Sequence, residues 1–192
     1  MEDVSSLAIA PELVREQTAL APLLVQTEGL IVSLLTELLG TPVTVRPLTQ
    51  ELNTIGFIRK TLLETADLPL YLAVTIVRRL PETRALIATM RKHPTMPFGT
   101  VLGNHGLFGH KSSLSIRRAV YLPEYQALFE TDGDVTEVWE RSYAIVSPKN
   151  KRIIGVTEIF SPRLEAWLRE HPERVPPLPA ERTAEAPSTA RG

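Results

Sequence analysis

One carboxylate stands where the pattern calls for an apolar side chain. In the run Val138 to Pro162, VWERSYAIVSPKNKRIIGVTEIFSP, two stretches rich in β-branched and aromatic residues flank Ser147-Pro148-Lys149-Asn150-Lys151. That is turn chemistry between two strands, a β-hairpin. Period-two alternation puts Ile154, Val156, Glu158 and Phe160 on one face of the second strand. With a loop centred on Lys149-Asn150, Arg141 falls opposite Glu158 and Tyr143 opposite Val156. A cation then lies beside a carboxylate on a face that otherwise reads as core. Arg59 is the second such charge: on the strand GFIRKTLLE it shares a face with Phe57, Thr61 and Leu63. The residues alone point to an enclosed pocket holding arginines and one glutamate. Each also has a plain alternative. Arg141 and Glu158 can be a structural cross-strand pair, and Arg59 can face solvent while Ile58 and Leu62 point inward.

The elements that position these residues follow from the chain in order. Pro11 to Leu20 reads as a short helix with proline in its first turn. Thr27 caps a stronger helix in which Leu30, Ile31, Leu34, Leu35 and Leu38 recur at helical spacing until Gly40. Pro42 opens a strand at Val43–Arg46, and two long strands follow over about 56–64 and 69–78. The second of them is apolar at nearly every position, so both of its faces are covered. Pro81 starts a helix through Arg91, with Leu86, Ile87 and Met90 inward. The segment from Pro97 leads into Gly103–His110, whose glycines suit a mobile lid rather than packed structure. Leu114 to Leu122 fits strand or helix, and Pro123 to Phe129 a short helix. Leu164, Trp167 and Leu168 mark a closing helix. Long strands with short connections and grouped helices predict an α+β fold with an antiparallel sheet.

The 192 residues, 43% hydrophobic and 22% charged, suit one globular domain with a sizeable core. A net charge of -1, with arginines scattered along the chain, gives no reason to expect a nucleic-acid partner. The absence of cysteine excludes disulfides, thiolate metal sites and a cysteine nucleophile. The spacing of His93, His105 and His110 matches no metal motif, so no metal is expected. An acidic N-terminus and no long apolar run predict a cytoplasmic protein without membrane partner. From Pro172 the sequence is rich in proline and charge, which predicts a disordered tail over 171–192 behind a single domain over 1–170.

Three fragments in this order resemble the chorismate–pyruvate lyase family: Phe57-Ile58-Arg59-Lys60-Thr61-Leu62-Leu63, Pro97-Phe98-Gly99, and Trp139-Glu140-Arg141-Ser142 followed by Thr157-Glu158-Ile159-Phe160. The likeness spans about residues 25–162. It implies a six-stranded antiparallel sheet with flanking helices, a buried site closed by flaps, and release of pyruvate from chorismate to leave 4-hydroxybenzoate without any cofactor. By the same resemblance Arg59 takes the ring carboxylate, helped by the backbone N–H groups around Phe98 and Gly99. Arg141 meets the enolpyruvyl carboxylate, Glu158 acts on the ring hydroxyl, and Ile31 lines the pocket. The loop His105–Lys111 and Glu140 depart from the family pattern, which keeps open an enzyme acting on another natural-product intermediate. A non-catalytic small-molecule-binding domain is the other reading, since regulators use this fold for sensing. Such regulators place a winged helix in front, for which about 40 residues ahead of the first strand are too few. Oligomeric state is left open.

Overall fold

The computed structural model describes residues 19–25, 31–107, 111–132, 134–146 and 152–175. Its frame is one antiparallel sheet of β1 (Thr44–Leu52), β2 (Gly56–Glu64), β3 (Pro69–Arg78), β4 (Lys111–Val120), β5 (Glu137–Val146) and β6 (Arg152–Phe160). The spatial order is β1-β2-β3-β6-β5-β4. Two three-stranded meanders, β1-β2-β3 and β4-β5-β6, therefore meet along a single antiparallel β3–β6 seam. The helices are α1 (Ala21–Val25), α2 (Ile31–Leu39), α3 (Arg84–Lys92), α4 (Phe98–Asn104), α5 (Pro123–Phe129) and α6 (Pro162–Glu170). The expected α+β architecture is the observed one.

Alternation sorts the side chains cleanly. On one face Phe57, Leu63, Tyr71, Val77, Ile154 and Phe160 are buried under helices. At one end of this face α1, α2 and α6 contribute Leu23, Leu24, Leu35, Leu38, Leu164 and Leu168 to a cluster with Tyr71, Trp139 and Phe160. At the other end α3 and α4 contribute Leu86, Ile87, Met90, Val101 and Leu102 to a cluster with Phe57, Val77 and Ile154. Each fully buried aliphatic or aromatic side chain of this kind stabilises the fold by about 1.5–3 kcal/mol. The opposite face is covered by α5, where Phe129 packs on Leu62, Leu72, Val138 and Ile159.

Local chemistry explains the ends. Gly40, at φ 68°, stops α2 in a conformation costly for other residues. Gly56 lets two strands approach, since a Cβ there would lie 2.2 Å from the Val77 carbonyl oxygen. Thr83 Oγ1 accepts from the Leu80 N–H at 3.0 Å and donates to the Arg78 carbonyl at 2.5 Å, which fixes the entry to α3. Ser161 caps α6 by accepting the Arg163 N–H at 3.2 Å, with Pro162 in the first turn.

Several local expectations need correction. The glycine-rich segment is partly helix. Phe98, Val101 and Leu102 recur at i, i+3 and i+4, and burial of Val101 and Leu102 holds α4 together despite Gly99 and Gly103. Its end is tied down as well, for His105 Nε2 shares a 2.8 Å hydrogen bond with Thr89 of α3. Residues 108–110 of the expected lid lie outside the described residues. The undecided Leu114–Leu122 stretch is strand β4. The first strand runs on from Thr44 to Leu52, through a bulge at Pro47/Thr49 that suits an edge strand carrying proline. Of the helix expected over Pro11–Leu20 only Ala19 and Leu20 are described, and they form a turn; the cap Thr27, the turn 147–151 and residues 176–192 lie outside the described residues. Within 171–175, Pro172–Arg174 forms a 3-10 turn, and Arg174 Nη1 donates to the Leu38 carbonyl at 3.1 Å. No described helix is long and apolar enough to cross a membrane.

Candidate functional site

The sheet register sets two rungs between the two apolar clusters. Arg59, Thr75, Val156 and Tyr143 align across β2, β3, β6 and β5; the next rung is Thr61, Ala73, Glu158 and Arg141. Arg59, Thr61, Thr75, Arg141 and Glu158 are all buried. They form a polar belt across the middle of a face that is apolar at both ends. Arg141 lies opposite Glu158 and Tyr143 opposite Val156, as the hairpin pattern predicts.

Arg141 and Glu158 make a tight, enclosed pair. Arg141 Nε donates to Glu158 Oε2 at 2.6 Å and Nη2 lies 2.5 Å from the same oxygen. The Arg141 Nη1 group donates to the carbonyls of Leu23 and Leu24 at 3.2 and 3.3 Å, which ties α1 down over the pair. Tyr143 donates its hydroxyl to Glu158 Oε1 at 3.4 Å. The guanidinium is flanked by the Tyr143 and Phe160 rings at 5.8 and 5.7 Å. Burial pulls the Arg141 pKa down, but Glu158 and Tyr143 outweigh it, and the net displacement is upward. Burial, and then the Glu158 charge, push the Tyr71 and Tyr143 phenols above their ordinary value. Both are therefore expected to stay protonated in the folded protein when an alkaline titration followed by tyrosinate absorbance passes pH 10.0, their ordinary pKa, and to ionise with unfolding. The linkage has a sign: stability from these two groups is complete below pH 10.0 and is lost as the pH rises beyond it.

Arg59 is held differently. It is 2% exposed, so of its two orientations the inward one is adopted. Its Nη2 donates to the carbonyls of Pro94 and Met96 at 2.6 and 2.9 Å, in the connection between α3 and α4. Its Nε has no hydrogen-bond partner, and no carboxylate among the described residues pairs with it. Burial lowers its pKa to about 10. A buried cation with only carbonyl partners is an unfinished electrostatic arrangement.

Phe98 and Gly99 open α4 two and three residues after the Met96 carbonyl that holds Arg59. These three positions thus belong to one corner of the site. Ile31 begins α2 and packs on the cluster of Tyr71 and Phe160, at the Glu158 end rather than the Arg59 end. From the register, the Cα atoms of Arg59 and Glu158 lie about 12 Å apart, two strands across and two residues along. The floor between them is made of the small side chains of Thr61, Ala73 and Thr75. Sequence reasoning missed Tyr71, the carbonyls of Leu23, Leu24, Pro94 and Met96, and this floor. The Thr61-x-Leu63 and Ala73-x-Thr75 alternation carried a signal for the floor; backbone acceptors leave none. Among the described residues no group of histidine and acidic side chains could hold a metal.

This sheet order and helix arrangement recur in solved structures. PhnF from Mycobacterium smegmatis superimposes with a TM-score of 0.58 at 11% identity, covering 72% of this chain and 66% of that one. The ligand-binding domain of a putative GntR-family transcriptional regulator from Bordetella bronchiseptica gives 0.51 at 9% identity, covering 62% and 84%. A possible transcriptional regulator, YydK from Bacillus subtilis, gives 0.51 at 9%, covering 64% and 58%. The fold is chorismate lyase-like. The chain spans just under two thirds of the M. smegmatis protein it resembles. No family model matches, and no curated protein matches by sequence.

These findings overturn the reading as a chorismate–pyruvate lyase. Two of these three structures carry the names of transcriptional regulators, and none of the three is named as a lyase. A chorismate lyase-like fold is shared by domains named for binding ligands, so fold alone does not bring the reaction with it. Both nitrogens of Arg141 nearest Glu158 donate to it, and Nη1 donates to the Leu23 and Leu24 carbonyls of α1.

Proposed function

We propose that this chain is a small-molecule-binding domain that holds an anionic ligand on Arg59 and does not transform it. The observation that carries this reading is the buried Arg59 guanidinium, with Nε unpartnered and no carboxylate among the described residues to balance it. A ligand carboxylate would accept from Nε by a charge-assisted bond, while Nη2 stays on the Pro94 and Met96 carbonyls and holds the guanidinium plane in place. The N–H groups of Phe98 and Gly99, at the start of α4, belong to the same corner and would share that carboxylate. The small side chains of Thr61, Ala73 and Thr75 would lie beneath the ligand's ring or short chain. Glu158 Oε1, engaged only by a long bond from Tyr143, would accept from a hydroxyl or amine at the ligand's far end. Arg141 acts as the positioning residue for that carboxylate, and Ile31 closes the apolar wall behind it. Residues 1–170 acting as one domain is part of the same proposal.

The test is thermal denaturation with millimolar benzoate, 4-hydroxybenzoate and methyl 4-hydroxybenzoate. Ligands that bind only the native state raise Tm with concentration. The two acids should do so and the ester, which lacks the carboxylate, should not. Incubation with chorismate should release no pyruvate. Tm unchanged by every carboxylate, or pyruvate release at an enzymatic rate, would sink the reading.

A further inference from the structure

Helix α3 carries a cationic face with no ion pair among the described residues. Its exposed positions are Arg84, Ala85, Ala88, Arg91 and Lys92, while Leu86, Ile87 and Met90 are buried. At 100° per residue the five exposed positions span about a third of the helix circumference, with Arg84 and Arg91 in line along it. Arg79, five residues ahead of Arg84, is exposed as well. Between Arg78 and His93 the chain has five lysines and arginines against the single carboxylate Glu82, in a protein of net charge -1. A net charge averaged over the whole chain conceals this segment.

The contrast with the remaining surface is what gives the face meaning. Arg46, Arg117, Arg118, Arg163 and Arg169 each pair with a glutamate. Arg79, Arg84, Arg91 and Lys92 make no ion pair among the described residues. Helix stability does not account for them all. Arg91 and Lys92 sit at the C-terminal end, where the helix dipole favours cations, but Arg84 opposes the dipole in the first turn.

We propose that this face of α3 binds the phosphate backbone of duplex nucleic acid without reading its sequence. The exposed positions hold no aromatic or large aliphatic anchor, which a protein–protein contact needs at its centre. Nor is there a ring on which unpaired bases could stack. No asparagine or glutamine is present to read base edges, so the contacts position and do not specify. Ala85 and Ala88 keep the face flat, which lets the helix approach the phosphates closely. Arg84 and Arg91 are about 10 Å apart along the axis, a span that reaches successive phosphates of one strand. This inference is independent of the ligand site, since the polar partners of Arg59 and Glu158 do not include any residue of the face.

The experiment is fluorescence anisotropy of a labelled, mixed-sequence duplex titrated with the full chain over a range of salt. Four phosphate contacts predict a slope of log K against log salt of about -3 to -4, at about 0.9 per contact. The triple variant Arg84→Gln/Arg91→Gln/Lys92→Gln should bring the slope to about -1, with melting temperature unchanged because these side chains are exposed. Removing equal charge elsewhere, as Arg46→Gln/Arg117→Gln/Arg163→Gln, should leave the slope in place. Absence of duplex binding at low salt, equal loss in both triple variants, or binding only to phosphatidylserine vesicles would each overturn the proposal.

Discussion

Glu158→Ala is expected to lower the free energy of unfolding by about 3–5 kcal/mol, the range for removing one partner of a buried ion pair. The loss is large because Arg141, 1% exposed, would lose its carboxylate while staying enclosed between two rings and beside the Leu23 and Leu24 carbonyls. The charge cannot escape to water, and at neutral pH the guanidinium keeps its proton. Replacing both partners by apolar residues of similar size, Arg141→Met with Glu158→Leu, should recover most of the loss. The pair is therefore specific to its place without being a strong net source of stability. Urea unfolding of the three proteins at neutral pH checks this. A loss below about 1 kcal/mol in Glu158→Ala would mean that the pair behaves as a solvated surface bridge.

Arg59→Ala is expected to weaken binding of 4-hydroxybenzoate by about 1.5–3 kcal/mol, the contribution of a charged hydrogen bond, or roughly 10- to 150-fold. Arg59→Lys should recover only part, because an ammonium lacks the planar fork. The pH profile has a defined sign. Burial places the free-state pKa of Arg59 at about 10, and a bound carboxylate would raise it. Affinity should therefore hold below pH 10 and fall as the pH rises through that value. Isothermal titration of the parent and both variants reads all three effects. Unchanged affinity in Arg59→Ala would remove Arg59 from the site while leaving the fold intact.

The legible parts of this molecule are those whose signal is local. The β5–β6 hairpin announces itself by alternation on both sides of a turn, so the Arg141–Glu158 opposition follows from counting. The long pair β2 and β3 is equally plain, as is α6, with Ser161-Pro162 at its start. Arg59 was open because Phe57 and Leu63 on one face balance Ile58 and Leu62 on the other. Its burial is decided by the carbonyls of Pro94 and Met96, more than thirty residues away. α4 was hidden because glycine content argues against a helix locally, whereas packing on α3 and β3 overrides it. The cationic face of α3 disappears in a linear reading because its members are separated by buried leucine, isoleucine and methionine. Edge strand β4 lacks a partner on one side, and its mixed serines and arginines carry no clean period.

The β3–β6 seam has a consequence for how the molecule opens. Each meander is assembled from neighbours in sequence, but the seam joins residues about eighty positions apart, for example Ala73 to Glu158. Loop-closure entropy makes such contacts late to form and makes their two sides natural cooperative units. Arg59 belongs to one unit, and Arg141 with Glu158 belongs to the other. A molecule lying from Arg59 to Glu158 would act as a clasp across that joint, and amide hydrogen exchange along β3 and β6 would slow more than exchange within either meander.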